Sequence, residues 1–326
     1  MLKRLARKGL DVADNVFAAL APRVQRESGC LVTLLFHSLY GDSSQATDPR
    51  LAPSENLTVE EFRRLIGAAI DSGYTPVSPA QVDAGLAHGR NYVMITFDDG
   101  YFNNTAALDV LERFQAPATF FISTDHVLQG KGFWWDAFHR ELAASGANAQ
   151  ARKREIERVK AWSSDRIEAH LYERYGSDVL RPRSDLDRPF SVPELQDFSR
   201  NKWVHLGNHT CNHAILTNCT PAQAEQQIQG CQDALRSLVG YAPIAIAYPN
   251  GDYREAAVNA ARRCGLSIGV TVRPFANPLP LRSDKSRMTL GRFAPAGGRD
   301  MRAQWQKFST PFVPSHMVKT LITSAY

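Results

Sequence analysis

Short runs of apolar and β-branched residues alternate along the chain with longer stretches whose apolar positions recur every three or four residues. The runs LVTLLF (31–36), YVMITF (92–97), ATFFI (118–122), WVHLG (203–207), IAIAY (244–248), SIGVTV (267–272) and MTLGRF (288–293) predict strands. Most lack strict apolar–polar alternation, as expected when both faces of a sheet are covered. The intervening stretches predict helices with legible ends. TVEEFRRLIGAAIDSG starts with Thr58 and Glu61 at capping-box spacing and stops at Gly73. Asn103 or Asn104 is the expected cap of the helix in NTAALDVLERFQ. TPAQAEQQIQGCQDALRSLVG has Thr220 as cap, Pro221 in its first turn and Gly240 as its stop, and YREAAVNAARRCG also ends in glycine. This β-α alternation argues for a mainly parallel sheet, and roughly seven strands is closer to a barrel than to an open doubly wound sheet.

Residues 129–202 break the rhythm: they are charged, contain two helical patterns, and end in the Pro-containing loop RPRSDLDRPF. They predict an insertion between the third and fourth strands. The expected organisation is an N-terminal amphipathic helix over 1–30, a barrel over 31–298, and a C-terminal tail over 299–326. Asp11, Asp14 and Asn15 interrupt what would be the apolar core of a signal peptide. The expectation is a surface helix packing Leu5, Val12, Val16 and Leu20 on the body of a cytoplasmic protein. Its alternative is a helix lying on an anionic membrane, peripheral to the inner membrane. Asp11 and Asp14 weaken that attraction.

Composition changes this picture little. The 326 residues carry a net charge of +5 with 22% charged residues and no compact Lys/Arg block, so nucleic acid is not the expected partner. None of the five cysteines forms a CxxC pair, which fits reduced thiols rather than a disulfide framework. Nothing in the pattern assigns an oligomeric state.

The chemistry lies where strands end, the usual place for sites in parallel α/β folds. The strand at 92–97 runs into Asp98, Asp99 and Gly100; that at 203–207 into NHTCNH, with His209 and His213 four residues apart; that at 244–248 into PNGD; and that at 31–36 into His37. One carboxylate and two imidazoles can hold a divalent cation and leave coordination positions open, as in a catalytic zinc site. Such an ion lowers the pKa of bound water towards ~7 and polarises a carbonyl. The second carboxylate is then free to accept the water's proton. Asp98 and Asp99 can serve together if the backbone turns after the strand, which Gly100 allows. A DDG or an HxxxH alone is more often a turn or a surface pair, and Cys211 reads as a buried thiol rather than a ligand.

TFDDGY, NHTCNH and AYPNG, in that order, resemble the first three motifs of the polysaccharide deacetylases, the NodB-homology or carbohydrate esterase family 4 group. The resemblance implies a deformed (β/α)7 barrel and metal-dependent removal of acetyl from an N-acetylated sugar. It implies Asp98 as general base, Asp99, His209 and His213 as metal ligands, Thr210 as a loop-ordering hydroxyl, and the Asn250 backbone N–H as an oxyanion donor. The metal it implies is zinc, with cobalt, nickel or manganese as alternatives. The sequence departs from the pattern in three places: Ala247 stands where an arginine is usual, and the fourth motif and the late histidine motif are missing. His316, in the segment FVPSHMVKT, does not read as a strand end. His37 is the expected replacement acid and Arg292, in LGRF, the expected brace for Asp98. Tyr101, Trp134, Trp135 and Tyr248 are the aromatic candidates for sugar binding, with anchoring of the insertion as the alternative for the tryptophans.

The expected activity is deacetylation of an amino sugar in a surface glycan or its precursor, such as O-antigen, capsule or exopolysaccharide. The departures leave one alternative, a catalytically silent barrel that binds glycan or scaffolds a complex; a further one is hydrolysis of another acyl amide, such as a formyl group, at the same site.

Overall fold

The computed structural model describes residues 29–48, 51, 56–281 and 283–310. The helix expected over 1–30 and His316 lie outside the described residues. Six parallel strands follow one another around a curled sheet: β1 (Cys30–Phe36), β2 (Tyr92–Phe97), β3 (Ala118–Ile122), β4 (Val204–Asn208), β5 (Ala245–Ala247) and β6 (Ile268–Val270). The ladder pairs Leu31 with Tyr92, Ile95 with Ala118, Ala118 with Val204, Asn208 with Ile246, and Ile246 with Gly269. The seventh stave, expected over 288–293, is not a regular strand. It closes the ring through two single parallel bridges, Val270 to Leu290 and Leu34 to Phe293. Gly291 lies against the Phe275 ring and the Arg273 carbonyl, so close an approach that a Cβ there would meet Phe275 carbon at 2.6 Å. The architecture is the deformed (β/α)7 barrel that the strand pattern and the resemblance imply.

The outer helices are α1 (Val59–Asp71), α2 (Leu108–Phe114), α3 (Trp134–Ala144), α4 (Ala149–Val159), α5 (Ser164–Tyr175), α6 (Val192–Ser199), α7 (Pro221–Val239), α8 (Glu255–Arg263) and α9 (Met301–Phe308). Capping boxes start α1 at Thr58/Glu61 and α7 at Thr220/Gln223, and Gly240 ends α7 at φ 82°. Asn103 and Asn104 do not cap α2. A 3₁₀ turn over Phe102–Ala107 precedes it, and their side chains instead donate to the carbonyls of Leu186 and His37. Helices α3 to α6 lie between β3 and β4, and α3 to α5 share a core of their own around Trp134, Phe138, Val159, Ile167 and Leu171. Within the expected tail, 301–308 is helical: Met301 and Trp305 are buried, and Trp305 meets Tyr74 edge-to-face at 4.7 Å. That amphipathic turn attaches the end of the described chain to the barrel. Among the described residues no helix is long and apolar enough to cross a membrane.

Alternation sorts the side chains. In β2, Tyr92 and Met94 join the barrel-interior cluster with Leu31, Phe121, Ala245, Ala247 and Val270. Val93, Ile95 and Phe97 pack outward beneath the helices. Continuing the register, Thr96 and then Asp98 follow the inward set. Asn277 holds the irregular closure. Its buried amide donates to the carbonyls of Leu31 (3.0 Å) and Gly291 (3.1 Å) and accepts from the Gly291 N–H (2.8 Å). Asn277→Leu, which leaves these buried groups unpaired, should lower unfolding free energy by about 2–4 kcal/mol in urea melts. A loss below about 0.5 kcal/mol would contradict the role given to this side chain.

Candidate active site

The C-terminal ends of the strands bring the two adjacent aspartates to one rim, but on different sides of the chain. Asp98 points inward and is 3% exposed. Arg292, 1% exposed, grips it with two parallel bonds, Nη1 to Oδ1 and Nη2 to Oδ2, each 2.7 Å. The guanidinium is itself fixed by the Thr271 carbonyl (2.8 Å to Nε) and the Thr96 hydroxyl (3.0 Å to Nη1). Burial raises the Asp98 carboxyl, but Arg292, with His209 and His37 nearby, outweighs it and holds the group below the usual carboxylate range. The side chain is therefore an anion at neutral pH.

Asp99 reaches the rim by backbone strain. Its φ is 75°, and Gly100 follows at 87°. The turn expected at Gly100 thus begins on a residue with a Cβ, a conformation that costs an L-residue roughly 1–2 kcal/mol. Thr210, His213 and Asn250 also have positive φ, at 64°, 53° and 57°. Non-glycine residues in this region are uncommon, and their collection on one rim marks a site where geometry has been favoured over local stability.

Asp99 Oδ1 lies 3.3 Å from His209 Nε2 and 3.5 Å from His213 Nε2. His209 Nδ1 is 2.8 Å from the Ala247 carbonyl. A carbonyl only accepts, so Nδ1 carries the proton and Nε2 presents a lone pair towards Asp99. Asp99 Oδ1 and His209 Nε2 are buried and without a hydrogen-bond partner. Asp99, His209 and His213 can each supply a donor atom within 4.8 Å of the others. A buried carboxylate oxygen and imidazole nitrogen left unpaired at such a distance fit a divalent cation between them. The burial of Asp99 raises its carboxyl, and the three histidines around it reverse that and bring it far below the normal range.

The loop carrying the histidines is built from β4. Asn208, buried at its end, donates to the Ile228 carbonyl (2.9 Å) and Gln232 Oε1 (3.1 Å) of α7, and accepts from the Thr210 N–H (2.9 Å). The Thr210 hydroxyl accepts from the Ala214 N–H at 2.9 Å. Cys211 points away from the triad, its thiol donating to the Gln227 carbonyl, and burial raises it to about 11. Asn208, which the sequence pattern places just after the strand, is its last residue, and that position is the signal for its role.

His37 is half-buried, lines the cavities on both sides of the triad, and has its carbonyl held by Asn104 Nδ2 at 2.6 Å. Asn250, exposed in the turn after β5, lines both as well. One cavity, of about 550 Å³, is bounded by Asp98, His209, His213, Thr217 and Lys160. The other, of about 900 Å³, extends under the insertion past Asp99, Tyr101, Trp134 and Trp135.

The aromatic candidates separate. Trp135 lies 4.6 Å from the His213 ring and donates through Nε1 to the Tyr101 hydroxyl at 2.8 Å; that hydroxyl donates to Asp136 Oδ2 at 2.6 Å. Trp134, 5% exposed, contributes to the cavity wall but packs mainly in the insertion core. Tyr248 is not at the cavity. Alternation along β5 puts Ala245 and Ala247 inside the barrel, while Ile246 and Tyr248 face outward. Tyr248 is fully buried against Ala257 and Ala261 of α8, with Tyr253 5.1 Å away.

A model of the polysaccharide deacetylase family matches residues 86–269. The chain belongs to the polysaccharide deacetylases. YxkH of Bacillus subtilis is 22% identical over 251 residues, which span 76% of this chain and 66% of that protein. The Streptococcus pyogenes deacetylase PplD, solved in complex with acetate, superposes with a TM-score of 0.59 at 17% identity, over 86% of this chain and 99% of that one. IcaB from Ammonifex degensii gives 0.56 at 16% identity, over 87% and 98%. At these identities the structural likeness is one of fold.

Tyr101→Phe removes the link between Asp136 and Trp135 and so loosens the packing on His213. Calorimetric titration of the metal-free chain with Zn²⁺ should show roughly tenfold weaker affinity, in the range of indirect ligand supports; unchanged affinity would dismiss the role of that chain. Burial lowers His213 to about 3 and His126 to about 4, against ~6.5 for a free imidazole. Between those values the unfolded chain binds protons that the native chain does not, so acidification favours unfolding. Urea midpoints of the metal-free protein should fall steadily from pH 7 towards pH 4, and a midpoint constant over that window would count against buried neutral imidazoles.

Proposed function

We propose that this deacetylase-family protein hydrolyses the N-acetyl group of an amino sugar in a surface glycan or its precursor, such as O-antigen, capsule or exopolysaccharide. The observation that carries the reading is the division of labour between the adjacent aspartates: Asp98 is ion-paired with Arg292, while Asp99 faces two imidazoles. Asp99, His209 and His213 would hold the divalent metal, zinc by its preference for imidazole and carboxylate donors. When bound, the ion supplies Lewis-acid polarisation of the amide carbonyl and acidifies a water.

The chain's own groups account for the rest. Asp98, kept anionic, accepts the proton of the attacking water as general base. Arg292 fixes the direction of its carboxylate and stops it from protonating in the ground state. The Asn250 N–H, in its strained turn at the cavity rim, donates to the carbonyl oxygen as negative charge grows there, an interaction worth about 3 kcal/mol of barrier. His37, facing both cavities, protonates the departing amine. Tyr101 and Trp135 wall the sugar side; Trp135 is the ring best placed to pack on a sugar, since Trp134 is committed to the insertion core.

The silent-barrel alternative drew on the missing arginine and missing acid motifs. A bidentate Arg292 in the position of a brace removes the first of these grounds. The PplD structure, described as a deacetylase and holding acetate, supports acetyl over formyl as the acyl group.

Acetate release from N-acetylglucosamine oligomers by the Zn²⁺-loaded chain tests the proposal. Asp98→Asn should lower kcat by about 10³-fold or more, at the upper part of what a positioned base contributes. Arg292→Met should lower kcat with a smaller change in KM and shift the acid limb of the pH–rate profile upward, because Asp98 then loses its main cation. Retention of full turnover by Asp98→Asn would refute the assignment of the base.

A further inference from the structure

The insertion forms one wall of the site. Asn218, in the segment after His213, donates to the carbonyls of Lys160 (3.0 Å) and Trp162 (3.4 Å), and Asn212 Nδ2 lies 3.4 Å from Asp165 Oδ1. These bonds pin the end of α4 beside the histidine loop, while Trp135 packs on His213 from α3.

The face that α4 turns to the cavities is unusual. Ala149, Arg152, Lys153, Ile156, Glu157 and Lys160 line them, at the three- and four-residue spacing of a single helical face. A helix face turned towards the body of a protein is ordinarily apolar. This one carries three cations and one acid. Glu157 accepts from Lys160 Nζ at a long 3.3 Å. Arg152 uses Nη1 on the Ala147 carbonyl (2.8 Å), but its Nε is buried with no partner. Lys153 is exposed and makes no ion pair among the described residues. The other carboxylates on the cavity walls are for the most part engaged elsewhere. Asp98 belongs to Arg292, Asp99 to the histidines, and Asp136 accepts from Tyr101. Asp48 and Asp252 lie on walls formed by other segments, and Asp252 is near enough to Lys160 to feel its charge, which leaves Arg152 and Lys153 as the less compensated pair.

We infer that the cavity binds an amino sugar bearing an anionic group, phosphate or carboxylate, held by Arg152, Lys153 and Lys160 while the acyl group sits at the triad. The inference rests on the deacetylase reading for what lies at the triad, and on the α4 face for the charge. Guanidinium and ammonium donors at helical spacing can share the oxygens of a phosphate or uronate, and such charge-assisted bonds are about twice as strong as neutral ones.

The test uses the full chain loaded with Zn²⁺ and three probes: a neutral N-acetylglucosamine oligomer, UDP-N-acetylglucosamine, and an oligomer alternating N-acetylglucosamine with glucuronate. Binding is read by calorimetry and turnover by acetate release. At least one anionic probe should bind about tenfold or more tighter than the neutral oligomer, with the gap closing at high salt. Which of the two does so separates phosphate from carboxylate. Replacing Arg152 by Gln and Lys153 and Lys160 by Met should weaken the anionic probe about tenfold or more beyond any effect on the neutral one. Glu157→Gln, which frees Lys160, should tighten the anionic probe and answers for any misfolding of the triple variant. Equal binding of neutral and anionic probes, or variants that leave the difference intact, overturns the inference. Tight anionic binding without acetate release from any probe supports the subsite while refuting the deacetylase reading; acetate release with no preference for charge does the reverse.

Discussion

Two carboxylates on consecutive residues, both almost fully withdrawn from water, set the constraint on which the rest of the structure depends. Left together they would repel and one would protonate. The fold resolves this by sending them in opposite directions, each to its own positive environment. Asp98 continues the inward register of β2 and meets Arg292. Asp99 is turned out of register by its positive φ and faces His209 and His213. Strand alternation supplies the first placement without cost; local strain supplies the second, with the Ser123 N–H bonded to the Asp99 carbonyl, while Asn208 and Thr210 order the loop that carries the histidines.

Arg292 links the site to barrel closure. The closing segment makes only two bridges, so its register is set largely by the Asn277 amide and by the close approach of Gly291 to Phe275 and the Arg273 carbonyl. A buried arginine needs its donors satisfied, and Asp98, Thr96 and Thr271 do this together. The pairing ties the closing segment to the end of β2 through one ion pair. It also explains how the chain manages with Ala247 where an arginine is usual: the Ala247 position contributes its carbonyl, which orients His209, and the cation comes from another strand end.

Much of this was legible in the sequence because strand ends and helix caps are local signals. The Thr58/Glu61 box, the Thr220 cap and the β-branched runs of β1 to β3 located the staves. The rule that parallel folds build sites at strand ends then put Asp98, His209 and His37 on one rim, and the missing motif arginine pointed to Arg292. What failed depended on the direction of a side chain. Tyr248 follows directly on Ala247, but one residue of register sends it under α8 rather than towards the cavity. Trp134 and Trp135 are adjacent and look equivalent, while the helix sends one to the insertion core and the other to His213. Asn104 reads as a helix cap, and its amide is instead taken by the His37 carbonyl across the barrel rim. No local pattern reveals such long-range partners. The cationic face of α4 was visible only as charge until its neighbours were known.

The central claim is that the adjacent aspartates do different work, one holding a metal and the other held by arginine. Metal content per chain, measured by elemental analysis after dialysis of the Zn²⁺-loaded protein, tests it most directly. One ion should remain in the wild type and in Asp98→Asn, and none in Asp99→Asn. Loss of the ion from both variants alike, or from Asp98→Asn alone, would contradict the account.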